Sequence, residues 1–477
     1  MRKVLSVASE CAPLVKTGGL ADVAGALPSA LAAEGWHMRT LLPGYPAVMK
    51  ALKRVTEVWH DADLMGGPAR VLAGKTRGLD MLVLDAPHLF DRPGSIYLGP
   101  DGLDWPDNPE RFAALSRVAA EIAVDGAAGW KPEVLHLHDW QAALVPVYLR
   151  ALGATGEVAT LLTVHNIAFH GLAPAEKLEA LNLPEWGFTH EGFEYYGKIN
   201  ALKAGLVYAD MLSTVSPTYA RELMRPQFGM GLDGVLRARA ADLVGILNGI
   251  DETVWNPETD KEIAGYRTPK RKAANTLALA EEFDLPPGDG PLAVVVSRLT
   301  EQKGLDLLLE ALPAYCGRGG RLALLGSGDK ALETAWLEAA RDYPNVGVRI
   351  GYDEALSHRM IGGGDAIVIP SRFEPCGLTQ LYGLRYGTVP VVALTGGLAD
   401  TVINANDAAL SAGVATGIQF YPVTAQELTG AMTRLCDLFA QRKVWSRMQR
   451  KAMKQHVGWG ASAPRYAALY EKIGSVE

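Results

Sequence analysis

Cysteine is scarce in these 477 residues. The four present, Cys11, Cys316, Cys376 and Cys436, show no C-x-x-C spacing, so neither a disulfide framework nor a thiolate zinc site is indicated. They read as reduced cytosolic thiols. No apolar run approaches the roughly 18 to 20 residues of a membrane span. The short apolar stretch after Arg2 and Lys3 is broken by Glu10, which is not the profile of a signal peptide; a soluble cytoplasmic protein is expected. An excess of basic charge is also missing. The formal charge of −7 argues against nucleic acid or an anionic membrane as partner, because both need a basic face to displace counterions. A neutral polymer meets no such objection. The G-x-G-x-x-G fingerprint and the eight-residue Walker pattern are absent too, which leaves NAD binding and P-loop hydrolysis unsupported.

What is present is ordinary globular material. Apolar residues make up 48% and charged residues 21%, close to the soluble average, and the length predicts two or three domains, two being preferred. Short continuous apolar runs recur at 4–9, 81–86, 134–139 and 160–166, and the rhythm restarts at 292–299, 321–326, 366–371 and 389–394. Continuous rather than alternating runs suggest strands buried on both faces of a parallel sheet. Helix-like segments lie between them, such as 304–316 and 328–341. The expected fold class is therefore α/β, with two Rossmann-like, doubly wound domains. A polar stretch at 256–290 holding Pro257, Pro269, Pro286 and Pro287 places the hinge near 246–251. The expected domains are 1–245 and 246–460, with 461–477 a helix crossing back to the first.

The six residues TGGLAD occur at 17–22 and again at 395–400. In both copies the glycine pair is expected to turn the chain from a strand into a helix, with backbone N–H groups free to receive an anion. The plainer reading, glycines that merely permit a tight turn, has about equal weight for either copy alone. Lys16 precedes the first pair, and a cation beside a helix N-terminus favours phosphate or a sugar oxyanion. In SRLTEQKG (297–304), Arg298 and Lys303 flank a loop leaving a strand, where open α/β sheets bind ligands. Two cations there stabilise the charge that develops on a departing diphosphate. In PSRFEPCGLTQLYG (370–383), Glu374 is the carboxylate suited to sugar hydroxyls or a developing positive anomeric carbon. A helix opening near Cys376 or Gly377 would turn Gly377, Leu378 and Thr379 toward the phosphates. For Glu374 the plainer alternative is a helix cap, and for Cys376 a small residue packed at a turn. His136 and His138 alternate along one strand, so both rings point to one face. Without further ligands of recognisable spacing they read as structural or site-lining rather than metal-binding. His165 and Asn166 end another strand and are better placed to line a cleft.

Taken together, KTGGLADV, LHDW, TVHN, VSPTYARE, NGID, SRLTEQKGLDL and PSRFEPCGLTQLYG resemble bacterial glycogen synthases and plant starch synthases, in the same order and over essentially the whole chain. The resemblance implies two Rossmann-like domains facing across a cleft, the GT-B arrangement. It further implies ADP-glucose as donor, α-1,4 extension of a glucan such as glycogen at its non-reducing end, retention of configuration, and no metal or other cofactor. By the same resemblance Lys16, Gly18 and Gly19 contact the donor, and Arg298 and Lys303 bind its diphosphate. Glu374 holds the glucose ring, and His165 lies beside the anomeric carbon through its backbone carbonyl and its ring. Asp22, Asp139, Asn166 and Asn248 border the sugar or acceptor, and Tyr352 stacks on adenine. Where many retaining GT-B enzymes carry a second glutamate eight residues after the first, this chain has Tyr382, which removes the usual ribose contact. No pair of acids of the kind a retaining glycosidase needs stands out, so same-face attack assisted by the departing diphosphate is expected. Two rivals remain open: a sugar-nucleotide epimerase of similar fold, and a non-enzymatic carbohydrate-binding scaffold using some of the ten tryptophans.

Overall fold

A computed structural model describes residues 1–474; the last three positions of the expected 461–477 segment lie outside the described residues. The chain divides into two compact units, one comprising Met1–Asn248 with the segment from Trp459 onward, the other Gly249–Gly458.

The first unit is built on nine strands. In chain order they are β1 (Arg2–Val7), β2 (Trp36–Pro43), β3 (Lys53–Asp61), β4 (Ala69–Thr76), β5 (Leu79–Asp85), β6 (Val134–His138), β7 (Ala159–Val164) and, beyond a small insertion, β11 (Met211–Thr214) and β12 (Leu243–Gly245). The insertion is an antiparallel sheet of β8 (Leu172–Pro174), β9 (Glu194–Tyr195) and β10 (Lys198–Asn200). The main sheet runs β12-β11-β7-β6-β1-β2-β5-β4-β3. It is parallel from β12 to β5 and antiparallel at the edge formed by β4 and β3. That edge, and the small sheet, were not expected from sequence. β3 is largely exposed, so its residues carry no continuous apolar run to announce a strand.

β1 pairs with β2 on one side and β6 on the other, and the chain winds outward from there in both directions. This is the topological switch point, where the carboxyl ends of an open sheet leave a crevice. β6 is buried along its whole length, as a central strand covered on both faces must be. The helix Gly19–Ala32 buries Leu20, Val23, Leu27 and Leu31, a stripe at helical spacing that faces the sheet. The helix Ala463–Gly474 adds Tyr466, Tyr470 and Ile473 to a core holding Val4, Trp36, Val134 and Leu161. The Tyr470 ring stands edge-on to Trp36, 5.2 Å away, and its hydroxyl meets His136 Nδ1 at 2.7 Å. Each such side chain contributes roughly 1.5 to 3 kcal/mol by leaving water, which ties the end of the chain to the first unit.

The second unit is a six-stranded, fully parallel sheet in the order β15-β14-β13-β16-β17-β18. Its strands are β13 (Leu292–Val296), β14 (Arg321–Gly326), β15 (Val346–Ile350), β16 (Ala366–Ile369), β17 (Val389–Ala393) and β18 (Ile418–Phe420). The switch point lies between β13 and β16. Helices Leu305–Gly317 and Lys330–Asp342 occupy the segments expected from the 3.6-residue pattern. No helix among the described residues is long and apolar enough to cross a membrane.

Candidate functional site

In the first unit, the candidate residues gather beyond the carboxyl ends of β1, β6 and β7. The loop after β1 folds around the carboxylate of Glu10, a buried residue to which sequence reasoning gave no role beyond interrupting an apolar run. Glu10 Oε2 accepts from the Thr17 amide, from Thr17 Oγ1 at 2.8 Å and from the Gly18 amide at 3.3 Å. Burial pushes the Glu10 carboxyl up from its ordinary value, and the bonds from Thr17 and Gly18 pull against that rise. The expectation of N–H groups left open is thus corrected for Thr17 and Gly18, whose amides the protein's own carboxylate occupies. Lys16 Nζ pairs with Asp22 at 2.9 Å, and the lysine stays partly exposed.

Asp139 follows β6 with a left-handed backbone, φ 54°, a conformation that costs a non-glycine residue roughly 1 to 2 kcal/mol. Its carboxylate accepts from the backbone amides of His165, at 2.6 Å, and Asn166, at 3.3 Å, and so holds the end of β7 against the end of β6. Burial raises its pKa to about 7. Asn166 Oδ1 turns back to the Ala168 amide at 3.0 Å. His165 retains 8% exposure, and its Nε2 meets His138 Nδ1 at 2.9 Å. Burial lowers the pKa of His165 to about 3, so its imidazole is neutral. The rings of His136 and His138 lie on one face of β6, 4.2 Å apart. Both nitrogens of His136 are engaged, by Thr163 Oγ1 at 2.6 Å and by Tyr470, which makes this histidine structural. Asn248, the last residue before the boundary, is buried, and its Oδ1 has no hydrogen-bond partner among the described residues. A buried acceptor without a donor normally costs about 1 to 3 kcal/mol, an offset that a bound hydroxyl would supply.

In the second unit, the loops after β13 and β16 are laced together. Gly304 adopts φ 64°, and a Cβ there would collide with the carbonyl oxygen of Pro370. That close approach admits a set of cross-links. The Arg372 amide donates to Gln302 O at 2.8 Å, and the Arg372 guanidinium grips Asp306 through bonds of 2.8 and 2.6 Å. Gln302 Nε2 reaches Phe373 O at 3.2 Å. Lys303 and Glu374 consequently meet at 2.6 Å with side chains 16% and 9% exposed, and Ser371 Oγ supports the same carboxylate oxygen at 2.9 Å. Glu374 is therefore not a helix cap. Arg298 is exposed and forms no ion pair among the described residues.

The helix expected to open near Cys376 or Gly377 begins at Thr379 instead. Gly377 has φ 71°, outside the right-handed helical region, and Gln380 folds back to donate to Cys376 O and Gly377 O, both at 2.9 Å. Cys376 is packed inside this turn. The second TGGLAD copy lies directly against it. A Cβ at Gly396 or Gly397 would collide with the carbonyl oxygens of Glu374 or Cys376, and the Gly397 amide donates to Glu374 O and Pro375 O, both at 3.1 Å. This copy supports the Glu374 loop, and its Gly397 N–H is not free for an anion. Tyr352 is 77% exposed, with its hydroxyl on Glu354. Tyr382 stacks on Trp255, centroids 3.8 Å apart, and Trp255 stacks at the same spacing on His358. Neither Trp255 nor His358 was singled out from sequence; no motif marks them, because the stack joins residues far apart in the chain.

A family model described as starch synthase catalytic domain matches residues 3–238, and one described as glycosyl transferases group 1 matches residues 280–452. The glycogen synthase of Paracoccus denitrificans is 63% identical over 475 residues, covering 100% of both chains. That of Jannaschia sp. is 62% identical over 471 residues, covering 99% of each. Among solved structures, the catalytic domain of starch synthase IV from Arabidopsis thaliana, bound to ADP and acarbose, superposes with a TM-score of 0.88 at 30% identity, covering 99% of each chain. Sucrose-phosphate synthase from Thermosynechococcus elongatus, at 18% identity and a TM-score of 0.61, shares the fold.

Proposed function

This chain belongs to the glycogen and starch synthase family, and from that premise we propose that it transfers glucose from ADP-glucose to the non-reducing end of an α-1,4-glucan, with retention of anomeric configuration. The observation that carries the reading is the Lys303–Glu374 pair, held at 2.6 Å beside the switch point of the second unit, in a chain whose relatives match it over its full length.

Arg298 and Lys303 take the donor diphosphate and stabilise the charge it gains as the glycosidic bond breaks. No metal or other cofactor is required in this scheme. Glu374 accepts from glucose hydroxyls, and Tyr352, exposed as an adenine platform must be, stacks on the base. Lys16, Gly18 and Gly19 contact the donor, as do Cys376, Gly377, Leu378 and Thr379. His165 lies beside the anomeric carbon, and Asp22, Asp139, Asn166 and Asn248 border the sugar and the acceptor. The acceptor 4-hydroxyl attacks on the face from which the diphosphate departs, and the diphosphate takes its proton. Configuration is retained without a covalent glycosyl-enzyme. Four cysteines that form no disulfide suit a cytoplasmic enzyme.

The test is incubation of purified protein with ADP-glucose or UDP-glucose, with and without glycogen, following nucleotide release and glucan mass. Release that depends on glycogen, with product sensitive to α-1,4-specific digestion, is expected. Nucleotide release without glycogen and with an altered free sugar would instead identify an epimerase, and binding without turnover a scaffold.

A further inference from the structure

Three side chains of the first unit, from β1, from β6 and from the residue that follows β7, form a hydrogen-bonded row. Ser6 on β1 meets His138 Nε2 at 3.0 Å, and His138 Nδ1 meets His165 Nε2 at 2.9 Å. Ser6 and His138 have no exposure, whereas His165 keeps 8%, so the row is closed at one end and open at the other. Hydrogen positions along it follow from its closed end. The Ser6 hydroxyl has no other hydrogen-bond partner among the described residues. Were His138 Nε2 to donate to Ser6, the serine proton would be left buried without an acceptor, which is unfavourable. With Ser6 donating, only oxygen lone pairs go unused. His138 Nε2 is then the acceptor, its proton sits on Nδ1, and Nδ1–H donates to His165 Nε2. A neutral imidazole that accepts at Nε2 carries its proton on Nδ1.

We propose that Ser6 and His138 are positioning residues that hold His165 as the Nδ1–H tautomer, presenting a fixed hydrogen-bond donor to a substrate oxygen at the open end of the row. The role assigned to the donor rests on the proposed placement of His165 at the reacting sugar; the tautomer itself does not. Orientation of a histidine through its second ring nitrogen is the logic of catalytic triads, here supplied by a second neutral histidine rather than a carboxylate. Burial holds both His138 and His165 in the uncharged form that such a row requires.

The experiment uses the full chain labelled with ¹⁵N-histidine, with two-bond ¹H–¹⁵N correlations recorded at neutral pH and the His165 signals assigned by their loss in His165→Gln. In the wild type, His165 Nδ1 is expected in the protonated range and Nε2 in the unprotonated range; the reverse pattern overturns the proposal before any variant is made. Ser6→Ala is expected to mix the tautomers of His138 and His165 and to lower kcat roughly fivefold, with KM for ADP-glucose within about twofold. His138→Asn places an amide N–H near the position of Nδ1, so it is expected to keep the His165 tautomer and to retain kcat within about threefold, whereas His138→Leu loses about tenfold or more. An unchanged His165 tautomer in Ser6→Ala, alongside an inactive His165→Gln, would sink the row and leave the site reading standing. Full activity in His165→Gln would sink the site reading while the tautomer result stood by itself.

Discussion

The same six residues, TGGLAD, do different work in the two units. At 17–22 the turn wraps a buried carboxylate, with Gly18 in extended backbone (φ −154°) and no neighbour closer to a would-be Cβ than Glu10 Oε1 at 3.9 Å. At 395–400 the glycines are wedged against the backbone of Glu374 and Cys376, where any side chain would collide. Packing thus requires glycine at 396 and 397 but not at 18. If Gly18 is indispensable, something outside the folded chain must approach it.

That contrast gives the largest expected effect. Gly397→Ala should destabilise the second unit by about 4 kcal/mol or more, because backbone rather than a flexible side chain must move. Gly18→Ala should change stability by no more than about 0.5 kcal/mol while still lowering glucosyl transfer. Urea melts and activity assays on both variants check this, and equal destabilisation would erase the distinction.

Acid should separate the two units next. His136, His138 and His165 have folded pKa values pushed below the ordinary histidine range by burial, to about 3 for His136 and His165. Below pH 6.5 the unfolded chain binds protons these rings refuse. The stability they contribute is therefore complete above about pH 6.5 and lost as pH falls toward 3, by up to about 1.4 kcal/mol per pH unit for each ring. Hydrogen exchange should show amides of β6 and β7 losing protection on acidification before those of β13 and β14; parallel loss would contradict it.

The two lysine pairs sharpen the comparison further. Lys303→Ala leaves Glu374 buried without its cation and should cost roughly 3 kcal/mol as well as turnover. Glu374→Gln, which removes the charge and keeps the shape, separates the chemical loss from the structural one. Lys16→Ala breaks a partly exposed pair and should cost less than about 1 kcal/mol. Chemical denaturation of both alanine variants decides whether burial sets the difference.

Asp139 titrates in the sense opposite to the three histidines. Its folded pKa, about 7, exceeds the unfolded value near 4, so the folded chain holds the extra proton between them. Its contribution is greatest below about pH 4 and declines as pH rises to about 7. Asp139→Asn keeps an acceptor for the His165 and Asn166 amides, so its stability should gain on the wild type across that interval and run parallel above it. A constant difference from pH 4 to 8 would show that Asp139 titrates normally.

How much of this was legible in the sequence depended on range. Strands such as β6 and β14 are buried along their length, and continuous apolar runs announced them. β2 alternates buried and intermediate positions at its start and β3 is mostly exposed, so neither produced such a run. Arg298, Lys303 and Glu374 were recognisable because motifs surround them, but the ion pair between Lys303 and Glu374 spans 71 residues of chain, and no local pattern encodes a contact at that separation. Glu10 was hidden for the opposite reason. An acid inside an apolar run reads as an interruption until its partners, seven and eight residues onward, fold back upon it.

The second unit is one uninterrupted stretch of polypeptide, whereas the first is interrupted and finished only by the helix Ala463–Gly474. During synthesis, which delivers the N-terminal part first, the nine-stranded sheet must wait for the helix Ala463–Gly474 to leave the ribosome before Tyr466 and Tyr470 can seal it, while residues 249–458 are made before that helix. The part made first is therefore the part completed last. Truncation before Tyr466 would spare the second unit and strip His136 of its tyrosine.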